Sequence, residues 1–315
     1  MNNTVIVIAG PTASGKTALS ISLAKYFTGE IVSADSMQVY KRMDIGTAKA
    51  TPEEQAQVPH HMIDIIEPDE DYSVARYVSD ASAICDSLIS VNTVPVIVGG
   101  TGLYIDSLIS GRDFGASEDP VLRKSLEEKY SEIGGDAMLS ELSVFDPERA
   151  AILHAADKKR IIRAFEVYLL SGETITAHDL KTQSIPPKYN PVFIIPSYRD
   201  RSLLYSSIDS RVDKMCSCGL FDEVRSLLES GIPENCTSMQ AIGYKEPILA
   251  IKGRISESEA VDMIKQSSRR YAKRQLTWFN RRTDALRFYH EDYSSFDQLV
   301  ESAIKHVKEF SHDYF

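Results

Sequence analysis

The stretch Thr4-Val5-Ile6-Val7-Ile8-Ala9-Gly10-Pro11-Thr12-Ala13-Ser14-Gly15-Lys16-Thr17, continued by Ala18-Leu19-Ser20-Ile21-Ser22-Leu23-Ala24, decides the fold. A β-branched run predicts a buried strand, and the apolar-rich run after Thr17 predicts a helix. Between them Gly-x-x-x-x-Gly-Lys-Thr has the spacing of a phosphate-binding loop. Gly10 and Gly15 let the backbone curl until successive N–H groups point at one anion, and the positive end of the helix faces the same point. Lys16 adds a charge for the terminal phosphate, and the Thr17 hydroxyl is a candidate magnesium ligand. The motif does not say which phosphate compound is bound, or whether phosphate is transferred, hydrolysed or expelled.

Further along, Glu30-Ile31-Val32-Ser33-Ala34 predicts a second strand, ending at Asp35-Ser36-Met37-Gln38-Val39-Tyr40. Val94-Pro95-Val96-Ile97-Val98 predicts a third, running into Gly99-Gly100-Thr101-Gly102. Open α/β sheets bind ligands beyond the carboxyl ends of their strands. Three polar loops after three buried strands therefore predict one crevice, with Asp35 and Thr101 beside the phosphate loop. Taken alone, Asp35 or Ser36 could equally cap a helix. Asp44 to Lys49 and Pro59 to Asp64 read as loops. The pair His60-His61 lacks a third ligand at metal spacing, so packing or substrate lining is the better reading. Tyr72 to Ile89 predicts an amphipathic helix.

From about Pro120 to Thr182 there is no strand-like run. Short helices are expected, broken at Gly134-Gly135, Asp146-Pro147 and Ser171-Gly172. The expected organisation is a P-loop α/β core with a parallel sheet flanked by helices (1–112 plus 190–315) and a mainly helical insertion (113–189). In the insertion Lys159, Arg160 and Arg163 cluster at helical spacing opposite an apolar face, and Arg123 lies on an earlier helix. Such a cluster is by itself equally a solvated helix face. Val192 to Ile195 returns to the sheet, and Arg201 to Leu228 reads as helix. Ser256 to Arg282 predicts a long helix. With Arg269 at zero, Lys273, Arg270, Arg281 and Arg274 fall at about 40°, 100°, 120° and 140°. Val261, Ile264, Tyr271, Ala272, Leu276, Trp278 and Phe279 occupy the opposite arc. A short strand, Leu286 to Tyr289, and a terminal helix follow.

The 315 residues are 43% hydrophobic and 25% charged, which suits a large domain and a smaller one. The start shows no signal peptide and no apolar run reaches a membrane span, so a cytoplasmic protein with no membrane partner is expected. The four cysteines include no Cys-x-x-Cys and no nearby His pair, which points away from structural zinc and a disulfide framework. A formal net charge of −10 argues against non-specific nucleic-acid binding. A basic stripe in so acidic a chain is the footprint of a specific polyanion contact.

With these residues in hand, the chain resembles the tRNA dimethylallyltransferase (tRNA isopentenyltransferase) family, of bacterial type, nearly end to end. The resemblance is carried by residues 10–17, Ser33-Ala34-Asp35-Ser36-x-Gln38-Val39-Tyr40 and Asp44-Ile45-Gly46-Thr47-Ala48-Lys49. It continues in His60-His61-x-Ile63-Asp64, Gly99-Gly100-Thr101-Gly102-Leu103-Tyr104, Ala241-Ile242-Gly243-Tyr244-Lys245-Glu246 and Tyr271-Ala272-Lys273-Arg274-Gln275-x-Thr277-Trp278-Phe279.

The resemblance implies transfer of a dimethylallyl group from its diphosphate to N6 of the adenosine 3′-adjacent to the tRNA anticodon. Gly10, Pro11, Thr12, Ala13, Ser14, Gly15, Lys16 and Thr17 would hold the diphosphate, with Mg2+ on Thr17. Asp35 would be the general base, Thr101 would sit at the bridging oxygen, and Lys16 and Arg211 would steady the leaving group. The tRNA anticodon stem-loop would meet Asp35, Ser36, Met37, Gln38, Thr101, Arg123, Lys159, Arg160, Ile161, Ile162, Arg163, Gly243, Lys273 and Arg274. No obligate protein partner is expected. Where the family has an arginine in the run before Arg211, this chain has Ser207. A small-molecule kinase using the loop for ATP, a nucleotide-sensing RNA binder, and a prenyltransferase for free adenine nucleotides are the competing classes.

Overall fold

A computed structural model describes residues 3–111 and 119–310. In chain order the described elements are β1 (Thr4–Ala9), α1 (Lys16–Tyr26), β2 (Gly29–Ser33), α2 (Pro52–Gln55), β3 (His60–His61), α3 (Val74–Ser90), β4 (Val94–Gly99) and α4 (Gly102–Ser110). Then come α5 (Pro120–Phe145), α6 (Pro147–Ile152), α7 (Lys158–Ser171), α8 (Ile175–Gln183) and β5 (Asn190–Ser197). The chain continues with α9 (Arg201–Ser217), α10 (Leu220–Glu229), α11 (Lys245–Ile251), α12 (Glu257–Phe279), β6 (Ala285–Tyr289) and α13 (Phe296–Phe310).

Two compact units emerge, Met1–Gly111 with Lys188–Phe315, and Arg112–Pro187. The first boundary expected from the sequence, 112/113, lies outside the described residues. At the second, Lys188 and Tyr189 are tied to the larger unit. Both backbone N–H groups reach the Ile109 carbonyl, and the Tyr189 hydroxyl donates to Asp86 at 2.7 Å.

In the larger unit the strands form one sheet in the order β3-β2-β4-β1-β5-β6, every pairing parallel. Parallel strands covered on both faces read as unbroken apolar runs, and all six residues of β1 are buried. Ile6 and Ile8 pack with Leu19 and Leu23 of α1 and with Leu299, Ala303 and Val307 of α13. Val5 and Val7 alternate to the opposite face. There α3 and α4 pack together, the rings of Tyr77 and Tyr104 stacking at 4.1 Å. Register places Ala9 beside Gly99 and Ser33 beside Val98. The loops after β1, β2 and β4 therefore leave the same edge, as expected.

The stretch Arg201 to Leu228, expected to be helical, forms α9 and α10, broken at Gly219, whose φ of +98° is left-handed. His60-His61, read as loop, forms a short edge strand on β2. The smaller unit is helical around Leu126, Met138, Leu142, Ile161, Ile162 and Phe165. The expected break at Gly134-Gly135 is a kink within α5, with Gly134 at φ +79°. A Cβ on Gly135 would lie 2.0 Å from the Ala155 carbonyl oxygen, so close packing requires glycine there.

Candidate functional site

The phosphate loop is built from peptide planes that alternate in direction. Gly15 has a φ of +82° and starts α1; Ala13 sits at φ +61°. The Pro11 carbonyl turns inward and accepts from Lys16 Nζ at 2.6 Å and from Ser14 Oγ at 2.9 Å. Because a trans peptide sends its C=O and N–H in opposite directions, the Thr12 N–H of the same plane points outward. It donates to Gln275 Oε1 at 2.9 Å, and Gln275 Nε2 donates in turn to the Gly100 carbonyl at 3.0 Å. Among the described residues the amides of Ala13, Ser14, Gly15, Lys16 and Thr17 donate to no acceptor. Consecutive unpaired amides at a helix start make an anion cradle.

Asp35 follows β2 and is half-buried; its Oδ1 accepts the Met37 N–H at 2.9 Å. Thr101 follows β4, and its hydroxyl accepts the Ser36 N–H at 3.1 Å while the Thr101 N–H donates to the Ala34 carbonyl at 3.2 Å. These bonds tie the second and third loops together. Lys16 is pushed down to about 7 by withdrawal from water and then by Arg211, with Asp35 opposing. Arg211 is lowered by burial, again opposed by Asp35. For both cations the Asp35 charge works against the effect of burial. The Tyr271 phenol is pushed up to about 12 by burial and then by Asp35, which places its ring at the same site.

Supports behind the site come from residues to which the sequence assigned no role. Gln275 falls at about 240° on α12, inside the arc assigned to the core, and is 5% exposed. Glu223 on α10 accepts from three successive amides, Asp44 and Ile45 at 2.9 and 2.8 Å and Gly46 at 3.0 Å, and from the Tyr244 hydroxyl at 2.7 Å. That fixes the 44–48 loop, whose Thr47 carbonyl accepts from Arg211 at 3.4 Å. Gly46 must be glycine because a Cβ would lie 2.4 Å from the Tyr244 ring. The motif residue Lys49 is a buried tie to the Tyr40 carbonyl, Asp44 and Asp64.

The expected RNA contacts divide. Lys273 and Arg274 are exposed on α12, Arg274 lying 5.5 Å over the Tyr271 ring, and Arg270 and Arg281 are also exposed. Arg269 leaves the stripe and pairs with Asp209 at 2.5 Å. In the smaller unit Lys159 and Arg160 are exposed. Arg123 and Arg163 both bond Oε2 of the fully buried Glu166 at 2.8 Å. Ile161 and Ile162, at 0% and 3% exposure, place their side chains in the unit's core, as apolar side chains favour. Gly243 is buried, and its N–H donates to Glu246 at 2.9 Å. Ser36, Met37 and Gln38 are half-buried beside Asp35, with the Gln38 amide accepting from Ser33 at 3.0 Å. His61 bonds Glu30 at 2.6 Å, while His60 lines a cleft with Thr17, Ser33 and Gln38. No cluster of three or more His, Cys, Asp or Glu suited to a metal occurs among the described residues.

The chain matches the family model described as IPP transferase over residues 38–282, and one described as isopentenyl transferase over residues 3–64. It is 44% identical to a tRNA dimethylallyltransferase of Thermoanaerobacter sp. (strain X514), covering 96% of this chain and 97% of that one. It is 48% identical over 276 residues to one of Bacillus velezensis, covering 87% of each. Among solved structures, the full-length tRNA isopentenylpyrophosphate transferase of Bacillus halodurans aligns with a TM-score of 0.73 at 40% identity, covering 98% of this chain and 96% of that one. A eukaryotic dimethylallyltransferase acting on tRNA aligns at 0.83 with 28% identity, covering 99% and 79%. A family model matched over residues 38–282, 44% identity over nearly the whole length and a shared fold leave one assignment: this chain belongs to the IPP transferase family.

Proposed function

We propose that this chain transfers a dimethylallyl group from dimethylallyl diphosphate to N6 of the adenosine 3′-adjacent to the tRNA anticodon, releasing diphosphate. The observation that carries the reading is Asp35, a carboxylate at the end of β2 whose loop is tied to Thr101 beside the amide-lined phosphate loop. An adenine amine is a poor nucleophile because its lone pair is delocalised into the ring. As the N–C bond forms, Asp35 accepts the departing N6 proton, help typically worth about 10²–10⁴-fold. The allylic C–O bond breaks toward the diphosphate, which leaves with the electron pair. Lys16, Arg211 and the amides of Ala13 to Thr17 stabilise that charge, and Thr101 faces the bridging oxygen.

Magnesium fits this site as a companion of the diphosphate. Thr17 offers one hydroxyl, without an acidic cluster to build a resident cage, and Mg2+ commonly combines few protein ligands with phosphate oxygens and water. Bound there it would neutralise charge on the leaving group.

The base must leave the anticodon stack to reach Asp35, which costs a few kcal/mol. RNA contacts are assigned to Lys273 and Arg274 on α12 and to Lys159 and Arg160 on α7, with Arg123 and Arg163 held by Glu166. No helix among the described residues is long and apolar enough to cross a membrane, and a cytoplasmic enzyme working on tRNA suits that. The test is to incubate the protein with radiolabelled dimethylallyl diphosphate and, separately, tRNA, AMP or ATP. Label in tRNA as N6-(dimethylallyl)adenosine, with ATP intact, is the expected result. Label in free nucleotide alone, or ADP formed in step with product, overturns it.

A further inference from the structure

We propose that His290 is a positioning residue for the phosphate-binding loop, holding the Ser14 carbonyl outward so that the Gly15 N–H faces the diphosphate. The inference rests on the reading that this loop binds the diphosphate. His290 follows β6, far from the loop in sequence, and its Nε2 lies 3.0 Å from the Ser14 carbonyl oxygen. A carbonyl only accepts, so Nε2 carries the hydrogen in this contact. The Ser14 C=O and the Gly15 N–H share one trans peptide plane and point in opposite directions. Fixing the carbonyl on the outside therefore aims the amide inside.

This is the complement of the Gln275 contact. Gln275 holds the Thr12 N–H outward and so turns the Pro11 carbonyl inward to Lys16. Two distant side chains thus set the direction of two peptide planes, one presenting an acceptor to the lysine and the other a donor to the anion. The planes need setting because the loop backbone has freedom: Ala13 and Gly15 both sit at positive φ.

His290 is itself held. Its ring stacks with Tyr198 at 4.5 Å and 21°, and with Phe296 at 6.4 Å and 16°. The Tyr198 hydroxyl accepts from Ser207 Oγ at 3.3 Å. A Cβ on Gly15 would come within 3.4 Å of Phe296 Cε2 and 3.6 Å of His290 Cε1, so this aromatic group covers the loop's outer side.

The experiment separates the hydrogen bond from the stacking. His290→Phe keeps an aromatic ring against Tyr198 and Phe296 without a donor, whereas His290→Gln restores an N–H. Diphosphate affinity is measured by calorimetry at fixed magnesium, together with kcat and KM for dimethylallyl diphosphate and for tRNA. His290→Phe is expected to raise the diphosphate Kd and the KM for dimethylallyl diphosphate by about three- to tenfold, the worth of one hydrogen bond. The KM for tRNA and the melting temperature should stay near wild type, and His290→Gln should recover most of the loss. Wild-type Kd in His290→Phe overturns the proposal, as does an equal loss in both variants tracking a lowered melting temperature. If the phenylalanine is not tolerated, His290→Ala against His290→Gln gives the same comparison. Lys16→Ala is the control. A wild-type protein that fails to bind diphosphate overturns the functional reading and this inference together. Binding lost in Lys16→Ala and unchanged in His290→Phe overturns this inference alone.

Discussion

Diphosphate binding should draw a proton onto Lys16. Among the described residues this ammonium has only the Pro11 carbonyl as a bonded acceptor, and withdrawal from water with Arg211 nearby pushes it down to about 7. At pH 8 a group of that pKa is about 0.1 protonated, so binding a polyanion that demands the charged form takes up about 0.9 proton per site. The substrate does not contribute at that pH, since a phosphate monoester loses its last proton near about pH 6. Affinity should then weaken by roughly tenfold per pH unit above 7, until the pKa of the bound lysine is approached. Titration calorimetry of dimethylallyl diphosphate without tRNA, at pH 8 in buffers of different ionisation enthalpy and constant magnesium, reads the uptake directly. Lys16→Met keeps the apolar stem and should abolish it. The sign for stability follows from the same group. Its folded pKa lies below the unfolded value of 10.5, so the unfolded chain binds more protons between pH 7 and 10.5. The ligand-free protein therefore gains stability from Lys16 as pH rises through that window, and carries the full cost of the buried charge below it. Zero uptake at pH 8 would mean that Lys16 is already charged before the diphosphate arrives, and uptake unchanged in Lys16→Met would place the titrating group elsewhere.

Three other outcomes are expected. Asp35→Asn should fold and bind both substrates but lose about 10²–10⁴-fold in kcat, because an amide cannot take the N6 proton; near-wild-type kcat would remove Asp35 as the base. Gln275→Ala leaves the Thr12 N–H and the Gly100 carbonyl without their partner, and should lower stability by about 1–3 kcal/mol in a urea titration while weakening diphosphate binding. Replacing Lys273 and Arg274 by Ala should weaken tRNA binding and flatten its salt dependence, by about 0.9 in log–log slope per duplex phosphate or 0.7 per single-strand phosphate, with dimethylallyl diphosphate affinity unchanged; an unaltered slope would reduce the stripe to a solvated helix face.

The crevice was legible in the sequence because its parts are local. A glycine-rich loop, an aspartate and a glycine-flanked threonine each follow their own buried strand, and parallel register brings those ends to one edge. What sequence could not give is the set of residues that hold the loops from afar. Gln275 lies 263 positions from Thr12, and Glu223 lies 177 to 179 from the amides it collects. Neither pairing leaves a periodic trace. Two signals pointed at Gln275: its place in the run Tyr271 to Phe279, and its being a polar side chain in the apolar arc of α12, since a buried amide must find hydrogen-bond partners. The same long-range logic misplaced Arg269. Helical spacing assigned it to the basic face, but Asp209 on the neighbouring helix draws it into an ion pair.

Ser207 shows why distance matters to the chemistry. A family arginine at this position would suggest a missing cation at the leaving group. In the fold, Ser207 instead bonds Tyr198, whose ring stacks on His290, which holds the Ser14 carbonyl. The residue therefore acts on the outer side of the loop, whereas Lys16 and Arg211 are the cations that oppose Asp35. A guanidinium in place of this hydroxyl would therefore meet the Tyr198–His290 stack on the outer side of the loop.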